Sequence, residues 1–314
     1  MNINASNAEL MEVPTRLIDR NPENPRTLFR PAELESLLES IRLYGIQVPI
    51  SVYKQGHRFV LIDGERRWRC CKKLGRSTIP ALVQEEPSPI TNLLLMFNIH
   101  ALREQWDLLT IAMKLPRVIS LLEREFKRQP NERELSLRTG LARGTIRRCK
   151  LLMELPQHYK DEVIEELKLP KAQQKLTEDF FIEMERALKT VERALPNVIS
   201  EKERVRRTLI QKYRKGIIPN RVHFRMLAKI ARAQRVSVPE NVARRELSKV
   251  FEDNNYSIER AYGRSVSNAY AERDLETRID GLIGDLGEFS SGDLDDHLKG
   301  KLRELLQIIQ QLLS

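Results

Sequence analysis

The stretch RFVLIDGERRWRCCKKLGRSTIPALV, residues 58–83, decides the fold of the N-terminal part of the chain. RFVLI (58–62) is a β-rich run, GERRWRCCKKLG (64–75) is bounded by glycines and has helical character, and TIPALV (78–83) is β-rich again. Working outward, PISVY (49–53) is joined to RFVLI through Lys54, Gln55, Gly56 and His57, a hairpin signal. Upstream, PAELESLLESIRLYG (31–45) predicts an amphipathic helix: Pro31 suits its first turn, Leu34, Leu37, Leu38 and Ile41 recur at helical period, and Gly45 stops it. NPENPR (21–26) is a proline-broken loop, VPTRLI (13–18) reads as a strand, and residues 1–12 read as a loose leader. Residues 13–88 therefore form a small α+β domain.

Beyond Pro89 the β-rich runs give way to helical periodicity, with Pro130, Pro156, Pro170, Pro196, Pro219 and Pro239 between the segments. This divides the rest into a helical domain over 89–169, a basic helical domain over 170–285 and a C-terminal amphipathic helix within 286–314, after the linker LGEFSSGD (286–293). In the last segment Leu298, Leu302, Leu305, Ile309 and Leu312 alternate spacings of four and three, a two-heptad seam that fits either dimerisation or local packing.

The chain of 314 residues is 41% hydrophobic and 31% charged, ordinary for a globular protein, and has neither a membrane-length apolar run nor a signal-peptide start. That places it in the cytoplasm with no membrane partner. Cys70 and Cys71 are adjacent and Cys149 is alone, so neither a disulfide framework nor a zinc site is expected. Net charge is +10, and residues 200–250 alone hold fifteen basic against four acidic residues, which points to a polyanionic partner.

Two motifs carry chemistry. NERELSLRTGLARGTIRRCKL (131–151) satisfies the steric rules of a helix-turn-helix. Asn131 and Glu134 stand at capping-box spacing, Ser136 is small where the helices approach, Gly140 suits a left-handed turn, and Leu135, Leu141, Ile146 and Cys149 are apolar where the motif buries. Its second helix offers Arg143, Thr145, Arg147, Arg148 and Lys150 to a major groove of double-stranded DNA. In IDGERRWR (62–69), a glycine at a strand-to-helix junction exposes helix N-terminal amides to an anion, and Arg66, Arg67 and Arg69 add guanidinium forks suited to a triphosphate.

The ordered combination of NPENPR, LLESIRLYGIQVPISVY, FVLIDGERRWRCCKKLG, TIPALV and a helix-turn-helix ending in KLLMELP resembles the ParB/Spo0J/KorB family over about residues 13–156. The resemblance implies a ParB/sulfiredoxin-like N-terminal domain binding CTP with Mg2+, followed by an all-α region whose helix-turn-helix reads a DNA site, in a homodimer that closes on DNA when nucleotide binds. Carried over by residue, Gly64, Glu65, Arg66, Arg67 and Arg69 correspond to the phosphate motif, and Gly45, Gln47 and Pro49 to the neighbouring turn. Where the family has Glu-Asn-x-x-Arg, this chain has Phe97-Asn98 with its arginine displaced to Arg103; Asn98 remains as a metal or phosphate contact and Glu104 lies close by. The missing carboxylate predicts weak CTP hydrolysis or none. A ParA-type ATPase is a further implied partner, although residues 1–12 hold no basic residue for such a docking peptide. Partition of a plasmid or chromosome, or transcriptional control of a mobile element, is the expected process. The rival is an enzyme of the same N-terminal fold, transferring nucleotide phosphate or cutting DNA; a third reading is an adaptor with a vestigial pocket.

Overall fold

A computed structural model describes residues 8–24, 31–101, 106–290 and 293–314. The chain divides into two compact units, Met1–Arg186 and Ala187–Ser314. The first opens with β1 (Glu9–Pro14) and β2 (Ile18–Asp19), then α1 (Pro31–Tyr44), β3 (Ile50–Gln55), β4 (Arg58–Asp63), α2 (Glu65–Lys73) and β5 (Thr78–Gln84). The five strands form one mixed sheet in the order β1-β5-β3-β4-β2. β1–β5 and β3–β4 are antiparallel, whereas β3–β5 and β2–β4 are parallel. Ile50, Val52, Leu61 and Ile79 from the sheet close a core with Ile41 of α1 and Cys70 and Cys71 of α2.

The expected hairpin, both glycine-bounded helices and the strand at 78–83 are present. Two expectations at the N-terminus are corrected. Residues 9–12, read as leader, are strand, because β1 gains a full antiparallel ladder from β5 that no local pattern in ELME advertises. VPTRLI is not one strand: it spans the end of β1, a 3-10 turn at Thr15–Leu17 and the start of β2, with Thr15 donating its hydroxyl to the Arg76 carbonyl at 2.6 Å.

The helical remainder of unit 1 runs through α3 (Pro89–Met96), a π-helical turn (Phe97–Ala101), α4 (Leu108–Phe126), α5 (Glu132–Thr139), α6 (Arg143–Met153), α7 (Gln157–Lys168) and the first half of α8 (Glu178–Ala194), within which the division at Arg186 falls. Ser88 and Asp107 cap α3 and α4 by accepting from Thr91 and Thr110 amides. The Glu178 carboxylate accepts from the Leu109 amide at 2.5 Å, fixing α8 to the start of α4. Burial, together with Asp107 and Asp179, holds that carboxyl up at about 7.

Unit 2 contains α9 (Lys202–Arg214), α10 (Phe224–Ala231), α11 (Glu240–Glu252), α12 (Ile258–Ser265), α13 (Ser267–Gly287) and α14 (Asp296–Leu313). Its core gathers Leu209, Phe224, Leu227, Leu247, Phe251 and Ile258. Helix α12 escaped the periodicity reading: it has eight residues and buries only Ile258 and Ala261, too few to show a stripe. The basic run is not all surface. Lys212 is fully buried and donates to the carbonyls of Val250 and Tyr256, the latter at 2.8 Å, tying the end of α11 and the following loop to α9. Burial pulls its ammonium pKa down from 10.5 to about 8. The expected linker at 286–293 is shorter than read, since α13 continues to Gly287. Helix α13 exposes Leu275, Ile279 and Leu282, spaced by four and three, and α14 likewise exposes Ile309 and Leu312. No helix among the described residues is long and apolar enough to cross a membrane.

Candidate nucleotide pocket and nucleic-acid interface

The candidate nucleotide site lies at the junction of β4 and α2. Gly64 sits at φ +95°, in left-handed space, and a Cβ there would lie 2.6 Å from Ile50 Cγ2. Only glycine lets the chain turn this sharply against β3. Gly64 offers no side chain to cap α2, so the helix begins with amides that lack an intrahelical acceptor and carry the positive end of its dipole. Around this N-terminus the charged side chains brace one another. Arg67 donates to the carbonyls of Val48 and Pro49 at 2.5 and 2.7 Å and to Asp63 at 3.0 Å, holding the turn after Gly45 against α2. Gly45 is left-handed at φ +73°, and Gln47 donates to the Tyr44 carbonyl. Glu65 is buried and acts as a hub: it accepts from Arg69 at 2.6 Å, from Asn24 at 2.7 Å and from Arg20 at 3.1 Å. Asn21, also buried, donates to Asn92 of α3 at 2.9 Å. Arg66 is half-buried on the next position of α2.

The second constellation is α5, a turn at Gly140 (φ +75°), and α6. Both halves of the Asn131–Glu134 capping box form, at 3.0 and 2.8 Å, and Arg128 beside Glu134 holds that carboxyl down at about 2. Ser136 donates to the Leu141 carbonyl at 2.7 Å, closing the turn, while Leu135, Leu141, Ile146 and Cys149 are buried as the spacing requires. Burial pushes the Cys149 thiol up to about 12, so it packs and does not react. On the outer side Arg143 is exposed and Thr145 half-buried; Arg147 pairs with Glu132 at 2.8 Å, Arg148 with Asp179 at 2.6 Å, and Lys150 lies 3.8 Å from Glu132. A shallow groove of about 590 Å³ runs along this face past Gly144, Thr145, Arg147 and Arg148.

Comparison with known proteins bears on the first of these constellations. Residues 1–98 match the ParB N-terminal domain. The chain carries a ParB N-terminal domain. A probable chromosome-partitioning protein ParB from Pseudomonas putida KT2440 is 36% identical over 154 residues, 48% of this chain and 50% of that protein. A nucleoid occlusion protein from Geobacillus kaustophilus is 31% identical over 159 residues, 50% of this chain and 54% of that one. The chain thus spans about half the length of the curated relatives it matches. C-terminally truncated ParB from Caulobacter crescentus, solved with the centromeric parS site, is 23% identical, with 56% of this chain and 84% of that one covered at a TM-score of 0.38. The same protein solved with CTP-γ-S is 23% identical, with 58% and 99% covered at a TM-score of 0.29.

Within the ParB N-terminal domain, Gly64, Glu65, Arg66, Arg67 and Arg69 lie together at the start of α2, and Arg67 ties the turn that follows Gly45 and Gln47 to them through the Val48 and Pro49 carbonyls. Their division of labour differs from a ring of phosphate ligands: Arg67 braces a turn, and Arg69 and Glu65 satisfy each other. Asn98 lies on the π-helical turn and donates to the Leu94 carbonyl at 2.9 Å. Phe97 is fully buried and meets Trp106 edge to face at 5.3 Å, so the position where the family pattern has glutamate points into the core. Arg103 and Glu104 lie outside the described residues. The sequence reading missed Arg20, Asn21 and Asn24. NPENPR was read only as a breaker, although two asparagines three apart in a turn are a signal of side-chain-to-backbone and side-chain pairing.

Proposed function

We propose that the chain is a sequence-specific duplex-DNA-binding protein whose hold on DNA is gated by CTP, with Mg2+, at the ParB N-terminal domain. The observation that carries this is the uncapped N-terminus of α2 behind a glycine that no other residue can replace, in a domain of this family, followed in the same unit by α5, its left-handed turn and the arginine-bearing α6. The residues present fit a triphosphate: the α2 amides begin behind Gly64 without a side-chain cap, and Arg66 lies half-buried on the first turn of that helix. Asn98 would offer Mg2+ a single neutral oxygen ligand from this chain. When bound, the metal neutralises phosphate charge. The chain's own residues orient the nucleotide, and with Phe97 buried in the core they offer no carboxylate at that position to activate water, so turnover is slow or absent.

Calorimetry with CTP, GTP, ATP and UTP in magnesium buffer tests the pocket. CTP should bind in preference to the others, and Arg66→Ala should weaken it at least tenfold, the loss expected of a charge-assisted contact of about 1.5–3 kcal/mol. Equal binding of all four nucleotides, or of none, would sink the CTP reading. Rapid phosphate release would instead favour the enzyme.

On α6 we read Arg143, Thr145, Arg147, Arg148 and Lys150 as the DNA-facing set. The ion pairs of Arg147 and Arg148 are solvent-exposed and weak, so DNA phosphates and guanine edges compete with them successfully. With the bound site identified by sequencing DNA that co-purifies with the protein, the double change Arg147→Ala, Arg148→Ala should lower the preference for that site over random duplex by about 1–3 kcal/mol per base contact. An undiminished preference would move sequence reading elsewhere.

The names of the relatives favour chromosome partition or nucleoid occlusion over control of a mobile element, and a nucleoid- or plasmid-associated protein of the cytoplasm. We also read the chain as a homodimer through α14, since its seam and that of α13 stand exposed. Removing residues 294–314 should shift the mass found by light scattering towards monomer; an unchanged mass would leave α14 with no part in assembly.

A further inference from the structure

The two edges of the sheet are not alike. β2 ends one side with two residues, too short to template another strand. β1 ends the other with six, paired one to one with β5 from Glu9↔Val83 to Pro14↔Thr78, without the register shift that interrupts β3 and β4. No further strand among the described residues pairs with its outer side. An edge strand carries a row of backbone N–H and C=O groups directed away from the sheet, and a bulge, an interior proline or a lysine commonly blunts it. β1 has none of the three.

Its side chains are open as well. Glu9, Leu10, Met11 and Glu12 are all exposed, Leu10 at 62% and Met11 at 42%. Successive residues point to opposite faces, so Met11 shares its face with Glu9, and Leu10 shares the other with Glu12 and with its cross-strand neighbour Leu82, itself 38% exposed. Each face therefore shows an incoming strand an apolar residue and a carboxylate. No cation pairs with Glu9 or Glu12 among the described residues, and Glu85 and Glu86 just past β5 are also exposed, so this edge is acidic in a chain of net charge +10. That charge selects the occupant. If two copies paired antiparallel with residues 9–12 fully overlapped, Glu9 of each would stand opposite Glu12 of the other, and like charges directly across a ladder are destabilising. A different segment with Lys or Arg at those places turns both repulsions into attractions.

We propose that β1 is a docking edge for an extended polypeptide segment of the pattern basic–apolar–apolar–basic, which joins the sheet as a further strand. Backbone hydrogen bonds to the outer side of β1 supply the hold, Leu10, Met11 and Leu82 receive the apolar pair, and Glu9 and Glu12 receive the flanking cations. The pattern reads the same in both directions, so it serves a parallel or an antiparallel partner. Strands β5 and β3 lie between this edge and β4, where the candidate nucleotide site begins, and the docking depends on neither nucleotide nor DNA.

The probe is a fluorescein-labelled peptide carrying Lys-Val-Ile-Lys between serine flanks, titrated with the full chain by anisotropy. It should bind the wild type, and the double change Glu9→Lys, Glu12→Lys should weaken it by about tenfold, as two attractive cross-strand pairs become repulsive. The matched peptide with Glu-Val-Ile-Glu should gain on that variant relative to the wild type, which guards against a folding artefact. Replacing Val-Ile by Pro-Pro keeps both charges but removes backbone donors, and should abolish binding. Equal affinity of wild type and variant for the lysine peptide, or undiminished binding of the proline peptide, overturns the proposal. So does a lysine peptide that fails to bind; if the mass by light scattering then rises with concentration and Leu10→Asp, Met11→Asp stops the rise, the occupant of the edge is a second copy.

Discussion

Gly64→Ala lowers the unfolding free energy of unit 1 by about 2–5 kcal/mol, the largest effect expected of any single methyl group in that unit. Two costs add. A non-glycine residue at φ +95° pays about 1–2 kcal/mol for left-handed backbone, and a Cβ placed 2.6 Å from Ile50 Cγ2 overpacks a fully buried strand residue for about 1–3 more. Ile50 has no room to yield, because its contact atom is one bond from Cβ and the strand carrying it is hydrogen-bonded to both β4 and β5. Urea denaturation of the full chain, followed by a probe in unit 1 such as Trp68 or Trp106 fluorescence, measures the loss. A change below ~1 kcal/mol would mean that the turn relaxes, and the pocket would then tolerate a side chain. Because the same glycine sets where the α2 amides point, nucleotide affinity should fall further than stability alone accounts for.

Lys212→Met in unit 2 gives the second large effect, with an unusual pH dependence. Methionine fills the channel of the lysine stem but leaves the Val250 and Tyr256 carbonyls without their donor, at about 1–3 kcal/mol for each buried acceptor. The wild-type ammonium is itself held at a cost, since its pKa is about 8 when folded against an ordinary 10.5. Between those values the unfolded chain binds the proton and the folded one has released it, so wild-type stability rises with pH by about 1.4 kcal/mol per unit. The neutral amine still has two hydrogens for the two carbonyls. Below pH 8 the proton is bound in both states and this gain disappears. The deficit of the variant should therefore be smallest near pH 7 and widen towards pH 10. A deficit that shrinks over that range would show that the buried amine is not what titrates.

The sequence showed most of unit 1 because its signals are local. Gly45, Gly56, Gly64, Gly75 and Gly140 each occupy left-handed backbone where a turn or cap was expected, and the Asn131–Glu134 capping box forms as the spacing demanded. Strand β1 was invisible because its four exposed leading residues owe their conformation to a partner almost seventy positions away, which no window on the sequence contains. At the candidate nucleotide site the sequence named residues but not their contacts. Nothing in GERRWR distinguishes Arg66, one step along the helix, from Arg67 and Arg69, which face back onto Asp63 and Glu65; that depends on the direction in which each α2 side chain leaves its helix. In unit 2 the count of basic residues overstated the surface charge, since burial of Lys212 and pairing at Glu246 depend on which helices meet.

Arg147 and Arg148 of α6 are held by Glu132 from the preceding helix and Asp179 from α8. At a distance beyond the Debye length of about 8 Å such pairs look like dipoles, not cations, and they draw little on a distant phosphate chain. On the proposed reading, α6 adds little to the speed of encounter and more after arrival, when a groove would displace the carboxylates. Finding DNA and recognising it would then be separable in time, with the lifetime of a complex on the wrong sequence set by how readily Glu132 and Asp179 recapture Arg147 and Arg148.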